Sequence, residues 1–139
     1  VILRPATVYG PRQMQGAMSD YIHKLAQGNQ AIIYGDGSKT RDYLFVHDMV
    51  NGILKAADLA TDYSSPIFNI GTSRETSLKD LYYKIAQLLK KKAMPIYRPD
   101  RPGELQFYAV DYSKFKSATG WQPQCDLKEG LALTLKSKN

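Results

Sequence analysis

Leu3-Arg4-Pro5-Ala6-Thr7-Val8-Tyr9-Gly10-Pro11 is the stretch on which the reading of this chain turns. Val1-Ile2-Leu3 is a short apolar run that reads as a buried strand, and Tyr9-Gly10-Pro11 follows it with a turn. Strands covered by helices on both faces read as continuous apolar runs and belong to parallel sheets. Val1-Ile2-Leu3 is therefore expected to be the last strand of a parallel sheet whose other members lie outside this sequence. An apolar strand without neighbours is an association hazard, so a homodimer or strand-swapped oligomer is expected through it.

Outward from that strand, Met18, Tyr21, Ile22, Leu25 and Ala26 recur at helical spacing and stop at Gly28, which predicts a helix over 17–27. Apolar runs at 31–34 and 42–46 read as strands on either side of a glycine-containing loop. Asp48 is placed to cap a helix whose positions Met49, Val50, Ile53, Leu54 and Ala57 face one way. A strand is expected over 66–70. Ser77-Leu78-Lys79-Asp80 approximates a capping box, and Leu78, Leu81, Tyr82, Ile85, Leu88 and Leu89 form the strongest amphipathic stripe. Beyond a proline-rich segment at 95–102, a short helix over 113–119 stops at Gly120, and a terminal helix begins at Asp126 with Glu129 three residues on. Strands alternate with helices, so the fold class is α/β, or α+β for the chain alone: few short strands and about five helices in one domain over 1–139.

The formal charge of +6 is carried largely by Lys90-Lys91-Lys92, Lys136 and Lys138, at expected helix C-termini where cations complement the helix dipole. No basic face with interleaved aromatics suggests nucleic acid, and no apolar stretch approaches the roughly 18 to 20 residues that span a bilayer. One cysteine, Cys125, and two distant histidines, His23 and His47, suggest neither a disulfide nor a metal site. The protein reads as cytoplasmic, with no membrane or nucleic-acid partner.

Two arginines stand beside glycine-containing turns: Arg41, after Gly35-Asp36-Gly37-Ser38-Lys39-Thr40, and Arg101, which opens Arg101-Pro102-Gly103-Glu104. A guanidinium donates a planar fork of hydrogen bonds to phosphate oxygens and does not deprotonate, so the pair suits a diphosphate clamp. Taken alone, either arginine reads as a surface residue; it is the joint occurrence with Leu3-Arg4-Pro5-Ala6-Thr7-Val8-Tyr9-Gly10-Pro11 that reverses this.

Taken together with Phe68-Asn69-Ile70-Gly71-Thr72 and the stretch from Asp111-Tyr112-Ser113-Lys114 to Gly120-Trp121, these segments resemble the carboxyl-terminal, nucleotide-sugar-binding half of the extended short-chain dehydrogenase/reductase family, which includes the UDP-glucose 4-epimerases and nucleotide-sugar dehydratases. The resemblance runs from Leu3 to about Leu133. It implies a substrate-binding domain of an NAD-dependent epimerase, or of a dehydratase, acting on UDP- or dTDP-hexoses. It implies that Arg41 and Arg101 bind the diphosphate, that Glu104, where Asp is usual, holds a ribose hydroxyl, and that Tyr34 lies against the base. Thr7 stands where many epimerases have an asparagine that donates to a phosphate; a hydroxyl still donates, with shorter reach. Ala6 matches the position near the nicotinamide. Tyr108 matches a position that limits the sugar C2 substituent, and its bulk suggests an unacetylated hexose; an ordinary strand tyrosine is the alternative.

No glycine-rich dinucleotide loop is present, so the resemblance implies that NAD belongs to a half outside this sequence and does not bind this chain tightly alone. Tyr112-Ser113-Lys114-Phe115-Lys116 has the spacing of the family's catalytic Tyr-x-x-x-Lys, but it falls in the family's late Asp-x-Ser-Lys helix with Phe115 toward the core. No residue here is assigned as catalytic. His47 reads as a surface residue and Trp121 as a packing anchor. A stand-alone module that binds nucleotide diphosphates or serves assembly is the competing reading.

Overall fold

The computed structural model describes residues 1–59 and 66–136. In chain order the elements are β1 (Ile2–Pro5), β2 (Thr7–Tyr9), α1 (Ala17–Ala26), β3 (Ile32–Tyr34), β4 (Thr40–Arg41), β5 (Tyr43–Phe45), α2 (Val46–Ala57), β6 (Ile67–Ile70), β7 (Thr76–Ser77), α3 (Leu78–Leu88), β8 (Ile96–Arg98), α4 (Ser113–Thr119) and α5 (Leu127–Lys136). This is the expected α/β class, with five helices and short strands among the described residues. Lys138 lies outside the described residues.

The strands pair two by two. β1 runs parallel to β6 with Leu3 opposite Phe68, β2 parallel to β5 with Val8 opposite Leu44, and β3 parallel to β8 with Ile33 opposite Tyr97. β4 and β7 are antiparallel, Arg41 facing Thr76. The opening strand is thus not unpaired, which corrects the sequence reading: its partner arrives 65 residues later in register, Ile2 to Ile67, and covers one of its two edges. β8 inside the proline-rich segment, and the two-residue strands β4 and β7, have too little periodicity to be read from sequence.

α1 and α3 form as their stripes predict. Met18, Tyr21, Ile22 and Leu25 of α1 meet Leu81, Tyr82 and Ile85 of α3 in one core cluster, with the Tyr21 and Tyr82 rings edge to face at 5.5 Å. Ser77 accepts the Asp80 N–H at 2.9 Å and starts α3. After Leu88 the chain turns through Lys90 at φ 54, and Lys91 N–H returns to the Ala86 carbonyl at 2.9 Å, so the lysine run does sit at a helix C-terminus. Gly120 ends α4 in the left-handed conformation at φ 70. Asp126 Oδ1 accepts the Glu129 N–H at 2.8 Å at the start of α5.

α2 departs from its prediction in two ways. It begins at Val46, and Asp48 is not its cap: the carboxylate is buried and accepts N–H bonds from Gln124 (3.1 Å) and Cys125 (3.0 Å), pinning the entry to α5. The buried face is Asp48, Gly52 and Ala56, whereas Val50, Ile53 and Leu54 are 47, 49 and 61 % exposed. Close approach is the reason, because a Cβ on Gly52 would collide with Ile70 and lie 3.4 Å from the Trp121 indole nitrogen. Only the small face fits there. Trp121 is buried, donates from Nε1 to the Asp48 carbonyl at 3.1 Å, and packs with Phe115, Phe68 and Leu44 in a second cluster.

Candidate functional site

The loop between β3 and β4 creates the site. Gly35 and Gly37 have φ of 78 and 83, a region open to glycine at no steric cost, and Asp36 Oδ1 accepts from the Ser38 N–H (2.9 Å) and hydroxyl (2.6 Å) to close the turn. The loop is seated on α3 by Lys79 N–H to the Gly37 carbonyl (3.0 Å) and Leu78 N–H to the Lys39 carbonyl (2.9 Å). The chain emerges into β4 with Arg41 half-buried. Arg41 Nη1 donates to the carbonyls of Thr40 (2.6 Å) and Leu105 (2.9 Å), so one corner of the fork is anchored to protein.

The second arginine comes from a turn that faces this loop. Asp100 Oδ1 accepts the Arg101 N–H at 2.8 Å, Gly103 has φ 80, and the Arg101 guanidinium carbon stands 3.7 Å from the Tyr34 ring centroid. Glu104 follows, its Oε2 accepting from Lys39 Nζ at 3.1 Å. Lys39 Nζ also pairs with Asp100. That ion pair holds the Asp100 carboxyl below the usual carboxylate range and raises the Lys39 ammonium.

Between these segments, β2 and α1 lies a cavity of about 550 Å³, within the roughly 300 to 1,000 Å³ of ligand pockets. Thr7, Tyr34, Arg41, Arg101 and Glu104 all line it. They come from four separate segments. Two other residues singled out in the sequence do not line it: Ala6 is buried in the second cluster, and Tyr108 packs half-buried against that cluster. α1 adds Tyr21, Asp20 and Lys24 to the wall, the last two ion-paired at 3.0 Å, and β5 adds Tyr43. Burial pushes the Tyr43 phenol up to about 12, so it stays a neutral hydrogen-bonding wall at ordinary pH.

Sequence reasoning missed two acids and bases that organise this region. Lys39 is buried, though it stood inside the stretch quoted for Arg41. Asp42 is wholly buried, and its carboxylate collects the N–H groups of Thr72 (3.0 Å), Ser73 (3.1 Å) and Val110 (3.3 Å) and the Thr72 hydroxyl (2.5 Å). The signal was a charged residue within an otherwise apolar strand, which survives burial only when fully hydrogen-bonded. Gly71 belongs to the same arrangement, since a Cβ there would lie 2.6 Å from Asp42 Oδ2.

The sequence profile described as the NAD dependent epimerase/dehydratase family matches residues 1–71. The chain belongs to that family. A UDP-glucose 4-epimerase of Mycolicibacterium smegmatis is 38 % identical over 137 residues, covering 96 % of this chain and 43 % of that protein. A solved UDP-glucose 4-epimerase of Thermotoga maritima, with UDP-glucose, superposes with a TM-score of 0.90 at 34 % identity, covering 98 % of this chain and 44 % of its own. A UDP-glucuronic acid 4-epimerase of Bacillus cereus, in complex with UDP-glucuronic acid and NAD, gives 0.92 at 29 % identity over 99 % of this chain and 44 % of its own. This member of the epimerase/dehydratase family therefore spans less than half the length of these relatives.

The residues present do not by themselves fit NAD. A dinucleotide pyrophosphate is cradled where a glycine-rich turn joins a strand to a helix, whereas Gly35 and Gly37 join strand β3 to strand β4. Tyr112 packs against Trp121 and Lys116 is exposed on α4, and neither lines the cavity. His47 is exposed at the start of α2, its ring against Phe45 at 4.9 Å. Among the described residues no helix is long and apolar enough to cross a membrane, and no cluster could hold a metal ion.

Proposed function

We propose that this chain is the nucleotide-sugar-binding domain of an NAD-dependent epimerase of the UDP-glucose 4-epimerase type. The observation that carries the reading is the single cavity into which Thr7, Tyr34, Arg41, Arg101 and Glu104 converge. Arg41 and Arg101 supply two guanidinium forks for a diphosphate, Tyr34 an aromatic face for the base, Glu104 an acceptor for a ribose hydroxyl, and Thr7 a donor to a phosphate. NAD, bound by the other part of a longer enzyme, supplies the hydride acceptor. The contribution of this chain is to hold the sugar nucleotide in one orientation, which removes entropic cost from the reacting step.

Exposure of apolar side chains supports a role as one half of a larger unit. Ile2 and Ile67 on the first strand pair and Val50, Ile53 and Leu54 on α2 are each more than a third exposed, and apolar side chains exposed in such number suit an interface.

Calorimetric titration with UDP and UDP-glucose tests the reading. Binding by the chain that is weakened roughly tenfold or more in both Arg41→Ala and Arg101→Ala is the expected result. A folded chain that binds neither ligand overturns it as a property of this domain alone.

A further inference from the structure

Lys39 is the one lysine or arginine that is buried among the described residues, at 3 % exposure. An ammonium taken out of water is tolerated only where paired and hydrogen-bonded. Its Nζ meets two carboxylates, Glu104 Oε2 at 3.1 Å and Asp100 Oδ1. The same Asp100 oxygen accepts the Arg101 N–H. One cation therefore grips both ends of the turn that carries the two cavity residues Arg101 and Glu104. The grip is firm on its own side, because the Lys39 carbonyl accepts from Leu78 N–H at the start of α3 and the neighbouring Thr40 N–H donates to the Gln106 carbonyl at 2.9 Å.

We infer that Lys39 is a positioning residue of the ligand site. It holds Glu104 by Oε2, which leaves Oε1 to accept from a ligand hydroxyl, and through Asp100 it sets the turn from which Arg101 reaches a diphosphate. It also solves an electrostatic conflict. A bare carboxylate beside a diphosphate repels it, and the ammonium, shared with Asp100, offsets part of that charge without removing the acceptor. The inference rests on the nucleotide-sugar reading of the cavity.

The test is calorimetric titration of UDP into the unmodified chain, Lys39→Met, Glu104→Gln, the double variant, and Lys39→Met combined with Arg41→Ala. Lys39→Met is expected to raise Kd by about 10- to 100-fold. Glu104→Gln added to it costs little more, whereas Arg41→Ala multiplies the loss, because Arg41 is held separately. Lys39→Arg restores part of the affinity. If Lys39→Met fails to fold, Lys39→Gln gives the same comparison. An unchanged Kd in Lys39→Met, or independent losses from Lys39 and Glu104, overturns the role of Lys39 alone; no UDP binding by the folded unmodified chain overturns the nucleotide-sugar reading as a property of this domain alone. A readout without ligand is the NMR titration of the Asp100 carboxyl, which Lys39→Met moves up. An unmoved Asp100 titration overturns the proposal whether or not UDP binds.

Discussion

The Arg101 guanidinium carbon lies 3.7 Å from the centroid of the Tyr34 ring, so a residue assigned to the diphosphate rests on the residue assigned to the base. Stacking of this kind needs the flat face of a guanidinium, and an ammonium of the same charge cannot reproduce both the stack and the bidentate fork. Arg101→Lys is expected to lose about as much UDP affinity as Arg101→Ala, roughly tenfold or more. Calorimetry on both variants checks it, and near-normal affinity in the lysine variant would show that charge alone suffices.

Asp42 is a stability determinant rather than a ligand group. Its carboxylate satisfies three backbone N–H groups and one hydroxyl that join β5 to the segment after β6 and to Val110. Asp42→Ala leaves those donors buried without acceptors and is expected to cost about 3 kcal/mol or more. Urea unfolding reads it directly; a loss under about 1 kcal/mol would contradict this account.

Alkaline pH should weaken the fold. Burial pushes the Tyr43 phenol up to about 12, and burial together with the nearby acids Glu129, Asp48 and Asp126 pushes the Cys125 thiol up to about 11. The unfolded chain sheds these protons first, near the ordinary values of 10.0 and 9.0, while the folded chain keeps them, so stability falls with rising pH. It is complete below about pH 9 and declines to about pH 12, Tyr43 accounting for about 2 to 3 kcal/mol of the loss. Denaturant midpoints that stay level from pH 8 to pH 11.5 would be the contrary result.

The α2 surface separates folding from association. Because Ile53 and Leu54 are 49 and 61 % exposed, replacing them by glutamate and lysine is expected to change the stability of this chain by no more than about 0.5 kcal/mol each. Any self-association at high concentration should fall. Light scattering with thermal unfolding checks both halves of the statement, and a strongly destabilised variant would place this face in the core after all.

The same helix shows how far sequence reading reaches. The apolar residues of α2 do lie on one side, as the spacing says, but of them Met49 packs partly buried against the core, and the buried positions are Asp48, Gly52 and Ala56. Amphipathic pattern names the apolar side of a helix and not what covers it. Of the residues that line the cavity, Arg41 and Arg101 stood out in sequence as a pair beside glycine-containing turns that only the resemblance raised above ordinary surface arginines, and Tyr34, Glu104 and Thr7 were named through the resemblance. Lys39 was not, since nothing local distinguishes a lysine bound for burial from one bound for solvent.

By itself the sequence determined what depends on residues within a turn of each other: the Ser77 and Asp126 helix starts, the Gly120 stop, the stripes of α1 and α3, and the α/β class. Their physics is short-range, a capping bond or a period of 3.6. Only the tertiary structure decided which buried charges meet. The partner of Lys39 lies 65 residues away at Glu104, and the acceptor for the backbone of Gln124 and Cys125 lies more than 70 residues back at Asp48. Such pairings follow from the packing of whole elements, which brings a charge and its partner together only after the chain has closed around them.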